Sequence, residues 1–170
     1  VSIRVRWCRP QRYYNLAPWR GTYSHDGGAL TNQGIHHIDL LRYLIGEVKE
    51  VSSKMLTLGA KIEVEDTGLA LFKFHNGAAG SLEITTAARP NDFEASISIL
   101  GSKGTIQIGG LAVNEILLYT PNPKICKKFS EKIPDAYGFG HYEFYRQILK
   151  SISRNKNFII FEMIKYFFYQ

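Results

Sequence analysis

Between Val48 and Thr120 the chain carries a succession of short segments in which apolar and polar residues alternate between turn signals. This period-two pattern restricts it to an architecture built around a sheet. Val48 to Leu58 is the first such segment. Thr67 to Phe74 and Ala79 to Thr86 form a hairpin joined at Asn76-Gly77, a pair that tolerates the positive φ of a tight turn. Phe93, Ala95, Ile97 and Ile99 alternate with Glu94, Ser96 and Ser98. Gly101-Ser102-Lys103-Gly104 then turns the chain into Thr105 to Ile108, and Ile116 to Tyr119 adds a further segment. Val1 to Cys8 alternates in the same way, with Val1, Ile3, Val5 and Trp7 set against Ser2, Arg4 and Arg6. Sequential hairpins predict an α+β domain: an open, mainly antiparallel sheet of about six strands. Helices cover one face, and the other is polar or used in association between subunits.

A chain of 170 residues with 45% hydrophobic content is large enough to build one such core. The formal charge of +6 suits an anionic partner such as a nucleotide or phosphorylated sugar. Apart from Arg4, Arg6, Arg9, Arg12 and Arg20 the basic residues are scattered, and no nucleic-acid module is legible, so no nucleic-acid partner is expected. Cys8 and Cys126 are too few for a disulfide framework and lack metal-ligand spacing, which points to a reducing cytoplasm. The most apolar run, Phe158 to Tyr169, is interrupted by Glu162 and Lys165 and is too short to span a bilayer, so no membrane association is expected. The chain opens on Val directly in strand-like sequence and reads as a fragment. It has no Gly-x-Gly-x-x-Gly after a strand and no Walker loop, so it cannot make a Rossmann dinucleotide site by itself.

The stretch from Asp26 to Leu41 departs from the strand pattern and strings polar groups along the start of a helix. Ile35, Ile38, Leu41, Leu44 and Ile45 recur at helical spacing toward a core, and Gly46 supplies the stop. With a helix beginning near Thr31, Asn32, His36 and Asp39 fall at i, i+4 and i+7 and share one stripe. Gly27-Gly28 before it lets backbone approach a ligand closely. His36 is the strongest chemical candidate, because an imidazole can take a proton from an alcohol as hydride leaves the same carbon. The alternative is a structural hydrogen-bonder. Asn32 is either a helix N-cap, a role Thr31 also suits, or an amide for a ligand hydroxyl. Gln33 carries the same ambiguity, His37 points elsewhere and Asp39 reads as a structural carboxylate. His25, Asp26, His36, His37 and Asp39 lack both His-Glu-x-x-His spacing and a distal ligand, so no metal is expected.

Two flanking regions add candidates. Arg9 to Asp26 is a long irregular segment of the kind kept for binding. Arg9, Arg20 and Arg89 can grip phosphate or carboxylate through paired hydrogen bonds, and Tyr14 and Trp19 can stack on a base or sugar. An arginine- and aromatic-rich subunit contact is the alternative reading. Pro121 to Pro134 is a Lys-rich loop, and Tyr137-Gly138-Phe139-Gly140-His141 leads into a second helix with Phe144, Ile148 and Ile152 on one face.

These residues resemble the C-terminal domain of the Gfo/Idh/MocA oxidoreductases, whose active-site helix carries Asp-x-x-x-His-x-x-Asp. Here Asn32-x-x-x-His36-x-x-Asp39 stands in its place. Five further motifs are similar to the UDP-N-acetylglucosaminuronate 3-dehydrogenases of that family, which are NAD-dependent enzymes of bacterial surface-polysaccharide synthesis. They are Trp7-Cys8-Arg9-Pro10-Gln11-Arg12-Tyr13-Tyr14, Trp19-Arg20-Gly21-Thr22, Leu30-Thr31-Asn32-Gln33-Gly34-Ile35-His36-His37, Glu65-Asp66-Thr67 and Ser98 to Thr105. The similarity runs from about Val1 to Ser153 and stops before the aromatic end at 158–170, which resembles an altered reading frame or a divergent tail.

The resemblance implies that 1–170 is a substrate-binding and oligomerisation domain. It implies an N-terminal Rossmann domain, absent from this chain, that binds NAD and contributes a lysine. His36 would then be general base on the sugar 3-hydroxyl, Asn32 its positioner, and Arg9, Tyr14, Trp19, Arg20, Gln33 and Arg89 the substrate-binding set for a UDP-sugar. A neutral carboxamide in place of the family's carboxylate implies orientation rather than charge as its role. The isolated chain is expected to be inactive, and a homo-oligomer through the sheet face is expected. The alternatives are a related dehydrogenase acting on another sugar or inositol, and a non-catalytic assembly or carbohydrate-binding remnant.

Overall fold

The first strand ends at the centre of the sheet. In the computed structural model, which describes residues 1–110, 112–134 and 138–153, β1 (Ser2–Arg6) is paired on both edges. The other strands are β2 (Val48–Leu56), β3 (Thr67–Phe74), β4 (Ala79–Thr85), β5 (Glu94–Gly101), β6 (Gly104–Gly109) and β7 (Glu115–Tyr119). They form one sheet in the order β2-β3-β4-β1-β5-β6-β7. Three consecutive antiparallel strands therefore lie on each side of β1, and the α+β reading holds with seven paired strands rather than about six. The β1–β4 pair is the parallel exception, with Ile3 opposite Leu82 and Val5 opposite Ile84. It arises because the chain leaves β1, forms its helices, lays down β2 to β4 and returns alongside its own beginning.

Both tight hairpins fall where the turn residues put them. Asn76-Gly77 joins β3 to β4: Gly77 sits at φ 86°, while Asn76 Oδ1 accepts from Ala78 N at 3.0 Å. Gly101 and Gly104 face each other across the β5–β6 turn.

Alternation along the strands sorts the side chains onto two faces. Ile3, Val5, Phe74, Leu82, Ile84 and Ile97 point to the covered face and form the core with Ala29 and Leu41. Each such side chain contributes roughly 1.5–3 kcal/mol on burial. The opposite face carries Arg4, Arg6, Ser81, Glu83 and Ser96, with Leu69 and Leu71 exposed at 41% and 64%. On it the Arg6 guanidinium bonds Glu83 at 2.7 Å and Glu94 at 3.2 Å, and the hydrogen bond and positive charge of Arg6 hold the Glu83 carboxyl below its ordinary range.

The helices on the core side are α1 (Gln11–Tyr14), α2 (Gly28–Thr31) and α3 (Ile35–Ile45). They correct the expected single helix from Thr31. Asn32 is the C-cap of α2 and Gly34 the N-cap of α3, with Gly34 N bonded back to Ala29 O at 2.8 Å. The break has a packing cause: Gly34 lies against Ile84 of β4, and a Cβ there would overlap the Ile84 side chain. Gly46 at φ 114° closes α3, its N–H bonded to Arg42 O. The segment Arg9 to Asp26 contains α1, and the expected Lys-rich loop contains the short helix α4 (Lys124–Phe129).

Val1–Ser130 forms one unit, and the chain from Glu131 onward a second. In the latter the expected helix is α5 (Gly140–Ser153), with Glu143 paired to Arg146. The tail at 158–170 lies outside the described residues. Among the described residues no helix is long and apolar enough to cross a membrane.

A carboxylate buried at the junction of β2 and β3 holds the 58–60 loop. Asp66, 1% exposed, accepts from Leu58 N at 2.9 Å, Gly59 N at 2.6 Å, Ala60 N at 3.1 Å and Thr67 Oγ1 at 2.9 Å. Charge-assisted bonds of this kind are the strong ones, and their loss would leave several donors unpaired. Asp66→Ala is expected to lower the unfolding free energy by about 3 kcal/mol or more in denaturant titration. A change under about 1 kcal/mol would contradict this role.

Candidate active-site wall

The site is built from the segment between β1 and β2. On α3 the buried residues are His37 and Leu41, with Ile38 and Ile45 packed against the core. The opposite side carries His36, Asp39 and Tyr43, all exposed, as are Ile35 and Leu44. The apolar stripe expected of Ile35 and Leu44 is thus rotated, because α3 starts from Gly34 on the sheet and turns His37 inward instead. His36 faces outward as a surface imidazole. Asn32, His36 and Asp39 do not share one continuous helical stripe, since Asn32 caps the end of α2 while His36 and Asp39 lie on α3.

Asn32 is neither N-cap nor free-swinging. Its Nδ2 donates to Asp26 Oδ1, and Asp26 Oδ2 accepts from Gly21 N at 2.6 Å. The glycine doublet approaches its own chain rather than open space. Gly28, at φ 89°, leaves room for the Glu65 carboxylate, which accepts from Leu30 N at 3.0 Å. Gln33 is buried at 8% exposure beside this corner.

The arginines and aromatics form a stacked row. The Arg9 guanidinium lies 5.4 Å from the Trp7 ring and 5.4 Å from the Tyr13 ring; that of Arg20 lies 4.3 Å from Tyr13 and 4.5 Å from Trp19. Trp7 continues the row to His37, edge to face at 5.8 Å. Sequence reasoning missed Tyr13, the ring shared by both arginines, although its place between Arg9 and Arg20 was a signal.

The three candidate arginines are not equivalent. Arg9 is paired with Asp92 at 2.9 Å and also bonds Cys8 O. Arg89 spends its donors on backbone carbonyls, Ala88 at 2.8 Å, Gly59 at 3.0 Å and Thr86 at 3.1 Å. Arg20 donates to the Tyr13 hydroxyl, has a buried Nε without a hydrogen-bond partner, and pairs with no carboxylate among the described residues. Trp19 is 41% exposed above it. Tyr14 is 6% exposed and bonded to Thr86 Oγ1 at 2.9 Å, so its ring supports the wall from behind. Burial pushes its phenol upward against the opposing effect of that bond.

Asp26 joins these groups, since it ties the backbone directly after Arg20 to the Asn32 side chain. Arg20, Trp19 and Asn32 therefore belong to one corner, with Gln33 adjoining and His36 one turn along the chain. Arg89 lies apart. It lines a concavity of about 520 Å³ on the opposite sheet face with Arg6, Glu83, Thr85 and Phe93, and that concavity contains none of the other candidate residues.

The model of the GFO/IDH/MocA C-terminal domain matches residues 1–107. The chain belongs to this family. The C-terminal-domain fold is shared with the WlbA dehydrogenase of Bordetella pertussis, solved with NADH and UDP-GlcNAcA. The TM-score is 0.81 and the identity 39%, covering 92% of this chain and 46% of that one. The WlbA enzyme of Chromobacterium violaceum, also solved with NADH and UDP-GlcNAcA, matches at TM-score 0.76 and 43% identity over 89% of this chain and 43% of its own. Scyllo-inositol 2-dehydrogenase (NAD(+)) of Bacillus subtilis is 27% identical over 129 residues, 71% of this chain and 37% of that protein. The chain thus spans less than half the length of these relatives.

Within the GFO/IDH/MocA C-terminal domain formed here, His37 is buried and the adjacent His36 faces outward. Both His37 ring nitrogens lack a hydrogen-bond partner among the described residues. Burial, and secondarily the adjacent His36, push the His37 imidazole down to about 4. The folded state thus refuses a proton that the unfolded chain takes up near pH 6.5. Stability is fully present above that pH and falls as pH drops toward 4, by about 1 kcal/mol per unit. His37→Phe keeps the ring contact with Trp7 and removes the titration. Urea midpoints at about pH 7, 5.5 and 4.5 are expected to fall less steeply in the variant, and parallel slopes would remove His37 as the cause.

Proposed function

We propose that this chain is the substrate-binding and general-base domain of an NAD-dependent dehydrogenase. The intact protein oxidises the 3-hydroxyl of a UDP-linked N-acetylamino-sugar uronate in surface-polysaccharide synthesis. The observation that carries the reading is the corner formed by Arg20, Trp19 and the Asp26-anchored Asn32, one turn ahead of an outward-facing histidine at the family's motif position. The WlbA likeness supports the nucleotide-sugar class, and the inositol dehydrogenase likeness supports the broader polyol chemistry.

In this reading His36 receives the proton of the 3-hydroxyl, Asn32 positions that part of the sugar, and Arg20 with Trp19 engages the diphosphate and an adjoining ring. Gln33, Tyr14, Arg9 and Arg89 remain in the proposed substrate-binding set. Tyr14, Arg9 and Arg89 serve it by holding the wall in shape, since their polar groups are engaged within the domain. When bound, NAD supplies the hydride acceptor. β1 leads into Trp7-Cys8-Arg9-Pro10 rather than a glycine turn, so no cradle for a pyrophosphate follows it. The cofactor site accordingly belongs to an N-terminal Rossmann domain outside this chain, which also supplies the lysine.

The same segment bears Leu16, Tyr23, Ile35, Tyr43 and Leu44 exposed at 73%, 80%, 44%, 58% and 40%. Such apolar exposure around a surface imidazole suits closure by a second domain that excludes water. The isolated chain is therefore inactive. The polar sheet face with Leu69 and Leu71 serves a homo-oligomer, and a reducing cytoplasm is the setting this reading implies.

Two predictions follow from the assignments. In the full-length protein with NAD and UDP-GlcNAcA, His36→Ala is expected to lower kcat about 10²–10⁴-fold while binding of the sugar persists. Unaffected turnover would sink the assignment, and a panel of UDP-sugars against free polyols separates the inositol-like alternative. Arg20→Ala is expected to raise KM about tenfold or more with little change in thermal midpoint, whereas Arg9→Ala chiefly lowers stability by about 1–2 kcal/mol. Equal effects of the two on KM would contradict the division of roles.

A further inference from the structure

We infer that Asp26 is the positioning residue of this site: it sets which end of the Asn32 carboxamide is offered to the ligand. The inference rests on the proposed reading of Asn32 as the group that positions the sugar.

A carboxamide has nearly the same shape in its two flipped orientations, and only its hydrogen-bond partners distinguish the oxygen from the nitrogen. A carboxylate accepts only, so the Asn32 atom bonded to Asp26 Oδ1 must be the nitrogen. Asp26 is itself held on three sides. Its Oδ2 accepts from Gly21 N at 2.6 Å, its backbone N–H donates to Thr22 O at 3.0 Å, and its carbonyl accepts from Thr31 Oγ1 at 3.4 Å. The carboxylate therefore cannot swing away to release the amide. Asn32 Oδ1 accepts from no protein donor among the described residues, which leaves it as a fixed acceptor.

The consequence is selective. A hydroxyl meeting this oxygen must donate its hydrogen, and a carbonyl or carboxylate cannot replace it. The negative charge sits one hydrogen bond behind the acceptor rather than on it. An anionic sugar nucleotide thus meets a neutral oxygen, with the Coulomb repulsion reduced by the added distance.

Exchanging the two residues tests this in the full-length protein. In Asp26→Asn the new amide oxygen can take Gly21 N, and its nitrogen then forces the Asn32 amide to flip. Both bonds survive, so the thermal midpoint is expected within about 3 °C of wild type. The wrong end now faces the ligand, and kcat for UDP-GlcNAcA is expected to fall at least about tenfold. The double variant Asp26→Asn with Asn32→Asp keeps the Gly21 bond, lets the amide nitrogen at 26 donate to the carboxylate at 32 and again turns an acceptor oxygen toward the ligand, and is expected to recover at least about tenfold over Asp26→Asn alone. A merely structural role would not give that rescue.

Solvent exchange of the Asn32 side-chain amide, followed by ¹⁵N-asparagine NMR, reads the orientation without turnover: slow in wild type and faster in Asp26→Asn. The inference is overturned by fast exchange in wild type, by Asp26→Asn turnover within about twofold of wild type, or by a double variant no better than the single. If the wild-type protein turns over no UDP-linked uronate, the proposed function fails, and the exchange measurement alone then decides for or against the hold of Asp26 on the amide.

Discussion

Strand β1 is bonded along both edges, to β4 in parallel and to β5 antiparallel, and its inward Ile3 and Val5 are fully buried. In the strand order the two halves of the sheet meet at it. The helices rest on the same residues, since Ala29 and Leu41 complete the core that Ile3 and Val5 begin. This arrangement makes the domain one of long-range contacts, in which the beginning of the chain must wait for β4 and β5 before its backbone groups are satisfied.

On that platform the connecting segments are shaped by three carboxylates. Asp66 gathers the amides of 58–60, Glu65 receives the start of α2, and Asp26 joins the loop after Arg20 to Asn32. Each turns irregular backbone into a fixed surface. The row from His37 through Trp7, Arg9, Tyr13 and Arg20 to Trp19 adds a second kind of order, in which positive charge lies over aromatic faces. Arg9 has its countercharge in Asp92, and Arg20 is held mainly by rings and one hydroxyl. The same residue type is thus an ion-paired brace at one position and a ring-stacked guanidinium at the other.

Much of this was legible beforehand where the signal is local. The alternation of Thr67–Phe74 and Ala79–Thr85, the Asn76-Gly77 turn and the Gly101–Gly104 turn follow from backbone preferences of a few neighbouring residues. The helix through His36 was legible from its spacing, but its beginning was not, because the break at Asn32–Gly34 is imposed by Ile84, far along the chain. For the same reason the periodicity of Ile35 and Leu44 misjudged the buried side. Arg20, Trp19, Asn32 and Gln33 are near one another in sequence, and Asp26 ties the backbone after Arg20 to the Asn32 amide. That Tyr14, Arg9 and Arg89 are engaged within the domain depends on partners distant in sequence, Thr86, Asp92 and the Gly59 carbonyl respectively.

By itself the sequence determined the strand segments, the turns, the second helix and the family, since these depend on residue type and spacing over short distances or on motifs read in order. Only the tertiary structure decided that β1 lies at the centre, that His37 is buried while His36 faces out, and that the Asn32 amide is tied to Asp26. Those outcomes depend on which distant side chains meet, and a one-dimensional pattern cannot encode whether a glycine rests on an isoleucine or a carboxylate reaches an amide six residues away.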